Sequence, residues 1–328
     1  MLFNERLGRI AMRAVAGMGA IGALAALAAC GGGTYQQQAF VPARILTFGD
    51  ESSRLEGPQG LKYSINGISQ ATLETDCTAN PLWTQTLANS FGLVYANCNI
   101  NASFETNAID LTTVNGTVAD VVQQVAAFQA GDTFNGNDLV TIWVGEHDIL
   151  NDYASNGNGD TATLLADMKE AGATLAGVVN TIATAGGKVV LLTGPDMSTS
   201  PFAFKEAEAR GDDRLTLLRD MSTSFNLGLR SNIINDGSRI ALVRVDDLMD
   251  VAVRSPGSFG LITLPNESYG CLDSAPLPTC TPDTLGNDPT TGQPAQQAFM
   301  WADATHLGSV LQAQIGSQAT SLAHSNPF

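Results

Sequence analysis

Basic residues are scarce in this chain of 328 residues. It has 16 Lys and Arg against 32 Asp and Glu, which gives a formal net charge of −16 at neutral pH. Nucleic acids and anionic lipid surfaces bind proteins through clustered positive charge. The acidic balance therefore argues against either as a direct electrostatic partner. Internal repeats and a second domain boundary are also lacking, so we expect one large folded domain.

Cysteine is scarcer still, with five residues and no CxxC spacing. A zinc–thiolate site is therefore not expected, since such sites generally use closely spaced pairs. Four of the cysteines lie in segments rich in Thr, Asn and Pro, and an even set in an oxidising compartment predicts two disulfides. Three pairings are possible. The local pairing, Cys77–Cys98 and Cys271–Cys280, is the simplest because it closes two short loops.

The N-terminus lacks charge between residues 14 and 29, after a short segment with three arginines. A basic segment before a short apolar run predicts a secretory signal. The run is shorter than the apolar stretch that a transmembrane helix ordinarily needs. It ends Leu27-Ala28-Ala29-Cys30, which resembles the lipobox of bacterial lipoproteins. That resemblance implies cleavage before Cys30 and lipidation of its thiol; the alternative is an ordinary signal cut at the same place.

The remaining residues fix the predicted domain organisation. A Gly- and Gln-rich stretch after Cys30 is typical of a flexible tether. We therefore expect a signal peptide at 1–29, a tether at 30–42 and one domain at 43–328. The mature protein would be exported and held in the bacterial envelope by lipid on Cys30, at the outer membrane facing the periplasm or the cell surface.

Short apolar segments alternate with helical ones along the domain. This alternation predicts an α/β fold, a flavodoxin-like doubly wound sheet of five parallel strands. Such sheets bind ligands at the carboxyl ends of their strands, which nominates the loops after Phe48, Tyr95 and Val144. Residues 255–299, rich in Pro, Gly and Thr, are expected to form a long excursion. The strands are predicted at 44–48, 93–95, 139–144, 188–193 and 239–245, and the helices at 83–91, 118–130, 162–185, 214–233 and 308–323.

Histidine is the rarest residue that can carry acid–base chemistry, with three in the chain. His147 follows the third predicted strand, and His306 precedes the last predicted helix in Asp303-Ala304-Thr305-His306. His324 lies in the tail, where we expect it to be exposed. Two of three histidines beside the carboxyl edge of the sheet indicate a functional site there.

The order of these segments resembles the SGNH/GDSL hydrolases over residues 45–321. That resemblance implies hydrolysis of carboxylic esters of lipid or acylated-glycan type, without cofactor or metal. It assigns Asp303 and His306 as the paired acid and base, and it places Gly49, Asp50, Asn97 and His147 at oxyanion or substrate-binding positions. The matching segments are Phe48-Gly49-Asp50, residues 83–88, residues 141–150, Gly194-Pro195-Asp196 and Asp303-Ala304-Thr305-His306.

The chain departs from the family pattern where the chemistry occurs. Glu51 stands at the position of the nucleophilic serine, and His147 stands where the family has asparagine. The second block, at residues 95–102, lacks the expected glycine. Because a serine hydroxyl is the group that attacks the ester in a Ser–His–Asp triad, these changes leave the activity open.

Four interpretations follow. Ser52 or Ser53 is the nucleophile after a shift along the turn, or Glu51 attacks directly. Otherwise Glu51 and His306 form an ion pair that leaves a ligand-binding or envelope-structural pseudoenzyme, or Asp50, Glu51, His147 and His306 hold a metal ion. We expect an ester-hydrolase-like lipoprotein or such a pseudoenzyme, with a small-molecule or lipid ester as its ligand.

Overall fold

The computed structural model describes residues 39–99, 102, 104–262, 268–287, 292, 298–325 and 328. The predicted signal peptide, most of the predicted tether and Cys30 lie outside the described residues. Within the described part, no helix is both long and apolar enough to cross a membrane.

The domain contains nine strands and eight α-helices among its described residues. The strands are β1 (Arg44–Gly49), β2 (Leu55–Glu56), β3 (Leu61–Lys62), β4 (Gly67–Ile68), β5 (Thr75–Asp76), β6 (Ala108–Asp110), β7 (Asp138–Trp143), β8 (Lys188–Leu192) and β9 (Ile240–Val243). The helices are α1 (Trp83–Ser90), α2 (Val118–Gly131), α3 (Glu146–Asn156), α4 (Thr161–Thr184), α5 (Pro201–Arg210), α6 (Asp213–Asn232), α7 (Val245–Arg254) and α8 (Ser309–Ala323).

Five of the strands form one parallel sheet in the order β6-β1-β7-β8-β9. Counted along the chain these are the second, first, third, fourth and fifth strands, which is the flavodoxin-like order. The predicted α/β, doubly wound, five-stranded fold is therefore confirmed. The order reverses between β1 and β7, so the carboxyl ends of these two strands flank the switch point.

Helices cover both faces of the sheet. Along β8, Val190 and Leu192 belong to one core cluster, whereas Val189 and Leu191 belong to the other. This alternation is expected because successive side chains of a strand point to opposite faces. One cluster includes side chains of α1, α7 and α8, and the other includes side chains of α2, α4 and α6. Burial on both faces explains why the strand sequences are almost continuously apolar.

The predicted second strand, at residues 93–95, is wrong. The sheet strand beside β1 is β6, and Tyr95 contributes only an isolated bridge to Ala108. Leu93 and Tyr95 are buried by packing, and the Tyr95 hydroxyl shares a hydrogen bond of 2.6 Å with the Thr47 hydroxyl. Their apolar character therefore reflects burial in the core rather than membership of the sheet. The loop that reaches the site from the second strand is consequently residues 111–117.

Both predicted disulfides are present. Cys77 pairs with Cys98 and Cys271 pairs with Cys280, with Cα–Cα distances of 5.6 and 5.7 Å. The second disulfide lies within the expected excursion at 255–299, part of which is outside the described residues.

Candidate active site

A tight turn at the end of β1 sets the direction of Glu51. Gly49 has φ of +128°, and a Cβ there would lie 1.9 Å from the carbonyl oxygen of Trp143, so the position requires glycine. Asp50 then accepts the Ser52 N–H at 2.9 Å and caps the short 3-10 turn Glu51–Ser53. Gly49 and Asp50 therefore build the turn, and the side chain that the turn presents is Glu51.

Glu51 lies against both histidines of the predicted site. Its Oε1 accepts hydrogen bonds from His147 Nε2 at 2.7 Å and from His306 Nε2 at 3.2 Å. Its Oε2 accepts the backbone N–H of Asn115 at 2.7 Å. The side chain is 2% exposed, and each imidazole is 12% exposed. The structure thus brings these three predicted residues together beside the switch point of the sheet.

Asp303 fixes the orientation of the His306 ring. Both carboxylate oxygens lie 3.0 Å from His306 Nδ1. Asp303 Oδ1 also accepts the backbone N–H groups of Thr305 and His306, at 2.9 and 2.7 Å. The carboxylate therefore closes a turn before α8 and directs Nε2 of His306 towards Glu51. This is the acid–base pair that the sequence predicts, and its geometry resembles the Asp–His half of a catalytic triad.

The side chains of Glu51, His147 and His306 shift one another's pKa values because they are buried in contact. Burial raises the pKa of Glu51, but hydrogen bonds from the two imidazoles outweigh it and hold the pKa far below its usual range. Burial lowers the pKa of His147, yet the bond to Glu51 and the neighbouring Glu146 raise it to about 9. Burial also opposes protonation of His306, but Glu146, Asp303 and Glu51 raise its pKa well above the ordinary value. In this arrangement His306 is a hydrogen-bond donor near neutral pH and does not accept a proton.

Two further carboxyl groups lie within electrostatic reach. Burial, followed by the charges of neighbouring carboxylates, raises the pKa of Asp50 well above its usual range. Burial is also the main reason that the pKa of Glu146 is raised. Glu146 begins α3 directly before His147, and its Oε1 is buried without a hydrogen-bond partner among the described residues. Sequence reasoning did not identify Glu146 as part of the site.

The serines that follow Glu51 face other partners. The Ser53 hydroxyl accepts the indole N–H of Trp83 at 3.1 Å. The Ser52 carbonyl accepts the Gln312 amide at 3.4 Å, and Ser52 is buried. Neither serine forms a hydrogen bond to an imidazole within the described part of the chain. The turn therefore presents Glu51 at the nucleophile position, and Ser52 as nucleophile stays a prediction.

Asn97 is engaged away from Glu51. Its side-chain amide donates to the carbonyl oxygens of Leu55 and Gly57, at 3.3 and 2.6 Å. The loop after β6 approaches the turn instead. Asn115 donates to Glu51, and a Cβ on Gly116 would lie 2.9 Å from the Gly49 carbonyl oxygen.

Gly116 therefore occupies the loop where the family resemblance implies a glycine. The sequence analysis missed it because the second strand was placed too early in the chain. An Asn-Gly pair shortly after Ala108-Ile109-Asp110-Leu111 is the signal that marks this loop.

Comparison with known proteins gives one kind of relative by sequence and one by structure. No protein-family profile matches the chain. Over 236 residues it is 26% identical to a phosphatidylcholine-sterol acyltransferase of Aeromonas hydrophila, covering 70% of this chain and 66% of that protein. A crystal structure of a member of the lipolytic G-D-S-L family from Veillonella parvula covers 85% of this chain, with 10% identity and a TM-score of 0.40; the match covers 96% of that chain.

The fold and the Asp303–His306 pair match the resemblance seen in the sequence. The chain is therefore similar to the SGNH/GDSL hydrolases, and Glu51 stands where that family has its nucleophilic serine.

Proposed function

We propose that this protein is an envelope lipoprotein of the SGNH/GDSL type that binds a carboxylic ester and does not hydrolyse it by the serine mechanism. The observation that carries the proposal is the position of Glu51, whose Oε1 accepts hydrogen bonds from His306 Nε2 and His147 Nε2. A serine triad begins when a hydroxyl gives its proton to histidine and attacks the ester carbonyl. A carboxylate has no such proton and cannot form an acyl-serine.

The ligand class rests on three observations. The relative in Aeromonas hydrophila is named as an acyltransferase. The site lies at the switch point of a doubly wound sheet, where such folds bind ligands. The aromatic ring of Tyr63 stands 6.0 Å from the His306 ring and offers an apolar flank. We propose an ester of a lipid or of an acylated glycan, and lipidation of Cys30 would hold the domain beside such molecules.

The mature chain tests the proposal in two assays. Hydrolysis of p-nitrophenyl butyrate at pH 7 should stay at background, and a fluorophosphonate probe should label no serine of the turn. Titration calorimetry with monomeric dihexanoyl phosphatidylcholine and with an O-acetylated xylo-oligosaccharide should show binding of one of the two. Labelling of Ser52, with activity lost in Ser52→Ala but kept in Ser53→Ala, would show a serine enzyme. Absence of binding to both esters would contradict the proposed ligand class.

A second candidate is hydrolysis by Glu51 itself. The favouring observation is the continuous chain from Asp303 through His306 to Glu51, with contacts of 3.0 and 3.2 Å. The carboxylate would attack the acyl carbon and form a mixed anhydride, while the departing alkoxide takes a proton from His306. Water would then cleave the anhydride, returning one proton to His306 and releasing the other with the acid.

The variants distinguish this candidate from the first. Ester hydrolysis that survives Ser52→Ala and Ser53→Ala but disappears in Glu51→Ala would establish carboxylate catalysis. Hydrolysis indistinguishable from background in the wild type and in all three variants would leave the binding function.

A further inference from the structure

We propose that Glu51, His147 and His306 bind a divalent transition-metal ion. Their three potential ligand atoms lie within 4.8 Å of one another. Two imidazole nitrogens and one carboxylate oxygen form a common ligand set for Zn²⁺, and three protein ligands leave a position open for water or a ligand. The proposal concerns metal binding alone and does not depend on the ester function.

Two of the three separations between ligand atoms are close to those around a coordinated ion, and the third is at most 4.8 Å. Glu51 Oε1 lies 2.7 Å from His147 Nε2 and 3.2 Å from His306 Nε2. In a tetrahedral zinc site, with bonds of roughly 2.0 to 2.2 Å, neighbouring ligand atoms stand about 3.3 Å apart. His306 is therefore already at a suitable distance from Glu51, and His147 must retreat by about half an ångström. The ion would replace two hydrogen bonds with coordinate bonds and would displace the proton on each imidazole Nε2 to the solvent.

Each ligand is held by a separate part of the fold. Glu51 belongs to the 3-10 turn after β1, His147 lies in the first turn of α3, and His306 precedes α8. His306 also has the partner that ligating histidines usually have, because its Nδ1 lies 3.0 Å from both oxygens of Asp303. A carboxylate on Nδ1 fixes the ring and leaves Nε2 as the ligating atom.

The charge balance of the site favours a cation. Four carboxyl groups act on the two imidazoles: Asp50 and Glu146 in addition to Glu51 and Asp303. The Glu146 residue is 4% exposed, and its Oε1 has no hydrogen-bond partner among the described residues. Unpaired carboxylate oxygen in a buried place is costly, and a divalent ion would offset it. Asp50 is not among the proposed ligands, because its Oδ1 accepts the Ser52 N–H.

The experiment is a titration of the metal-free mature chain, prepared with a chelator and dialysed. Calorimetry with ZnCl₂ should show one equivalent bound, and Co²⁺ should give visible absorption bands from the bound ion. Glu51→Ala, His147→Ala and His306→Ala should each abolish the Co²⁺ bands. Asp303→Asn should weaken zinc binding by roughly 10- to 100-fold, as expected for the partner of a ligating histidine.

His324 supplies the matched control. It stacks on Phe91 with ring centroids 4.2 Å apart and hydrogen-bonds the Ser90 hydroxyl, outside the site. His324→Ala should leave zinc binding unchanged. Glu51→Gln keeps the shape of the side chain and should also lose the ion, which separates ligand loss from misfolding. Zinc binding that survives in Glu51→Gln and His306→Ala, or no binding by folded wild type, would overturn the proposal whatever the ester assays show.

Discussion

Lys62 is a buried cation whose removal should change the pH dependence of stability. Its side chain is fully buried, and its Nζ donates to the carbonyl oxygen of Ala79 at 2.7 Å. Burial lowers the pKa of Lys62 to about 8, although the charge of Asp76 acts in the opposite direction. Lys62 directly precedes Tyr63, which flanks His306. Its ionisation state therefore bears on the stability of the segment beside the site.

The direction of the pH dependence of stability follows from the Lys62 pKa in the folded and the unfolded chain. The unfolded chain keeps the Lys62 proton up to its ordinary pKa of 10.5, whereas the folded chain releases it near 8. Between these values the unfolded state binds more protons, so stability rises with pH. The difference of 2.5 pH units corresponds to about 3 kcal/mol in the free energy of unfolding. The destabilisation of the folded state by the buried Lys62 charge is fully present below pH 8. It decreases as the pH rises towards 10.5.

The perturbation is Lys62→Met, measured by urea unfolding from pH 7 to pH 10 against the wild type. The variant's free energy of unfolding, minus that of wild type, should fall by roughly 2 to 3 kcal/mol across this range, because the variant has no buried cation to relieve. Lys169→Met changes an exposed lysine of α4 and serves as the matched control, with a flat difference. A flat difference for Lys62→Met as well would refute the reasoning.

Three further predictions concern the site and the anchor. Glu51→Ser with His147→Asn restores two family residues, and we expect p-nitrophenyl butyrate hydrolysis roughly 10²-fold above background; equal rates for this variant and Glu51→Ala would contradict it. Gly49→Ala should destabilise the domain by more than about 3 kcal/mol in urea unfolding, since its Cβ would meet the Trp143 carbonyl oxygen at 1.9 Å; an unchanged midpoint would disprove the constraint. Cys30→Ser should shift the protein out of the membrane fraction or block its processing, and unchanged fractionation and mobility would exclude lipidation.

Much of the fold could be predicted because buried parallel strands leave a clear pattern. The segments at 139–144 and 188–193 are apolar on both faces and lie within one residue of β7 and β8 at each end. The helix predicted at 162–185 is close to α4, since its Gly-Gly end terminates a long amphipathic run. A strand that is buried on both faces has a nearly continuous apolar sequence. Such a run can therefore be recognised without the structure.

The prediction of the second strand was wrong because this strand is not buried on both faces of the sheet. β6 is three residues long and lies at the edge of the sheet, with Ile109 exposed. Leu93 and Tyr95 have the stronger apolar signal, but their burial comes from packing against the core. The error then hid Asn115, because the loop that brings it to Glu51 starts from β6.

The site itself was predicted in part. Rarity and position identified His147 and His306, and the resemblance to the family's Asp-x-x-His block identified Asp303 as the partner of His306. Glu146 was missed because an acidic residue beside a histidine in sequence is ordinarily exposed. Only the fold shows that α3 begins at this residue and buries its carboxyl group. Which atom of Glu51 meets which imidazole likewise depends on contacts between distant segments.

The buried carboxylate of Glu51 and the imidazole of His147 stabilise each other. A glutamate placed alone in a serine position would have a single imidazole partner, His306, and a poorly compensated buried charge costs several kcal/mol. His147 supplies the second partner at 2.7 Å, and the Asn115 N–H occupies the other oxygen at the same distance. Glu51→Ser alone would remove the carboxylate that both imidazoles bond and would leave the two rings facing each other. The ionised state of Glu51 and the protonated state of His147 therefore depend on each other.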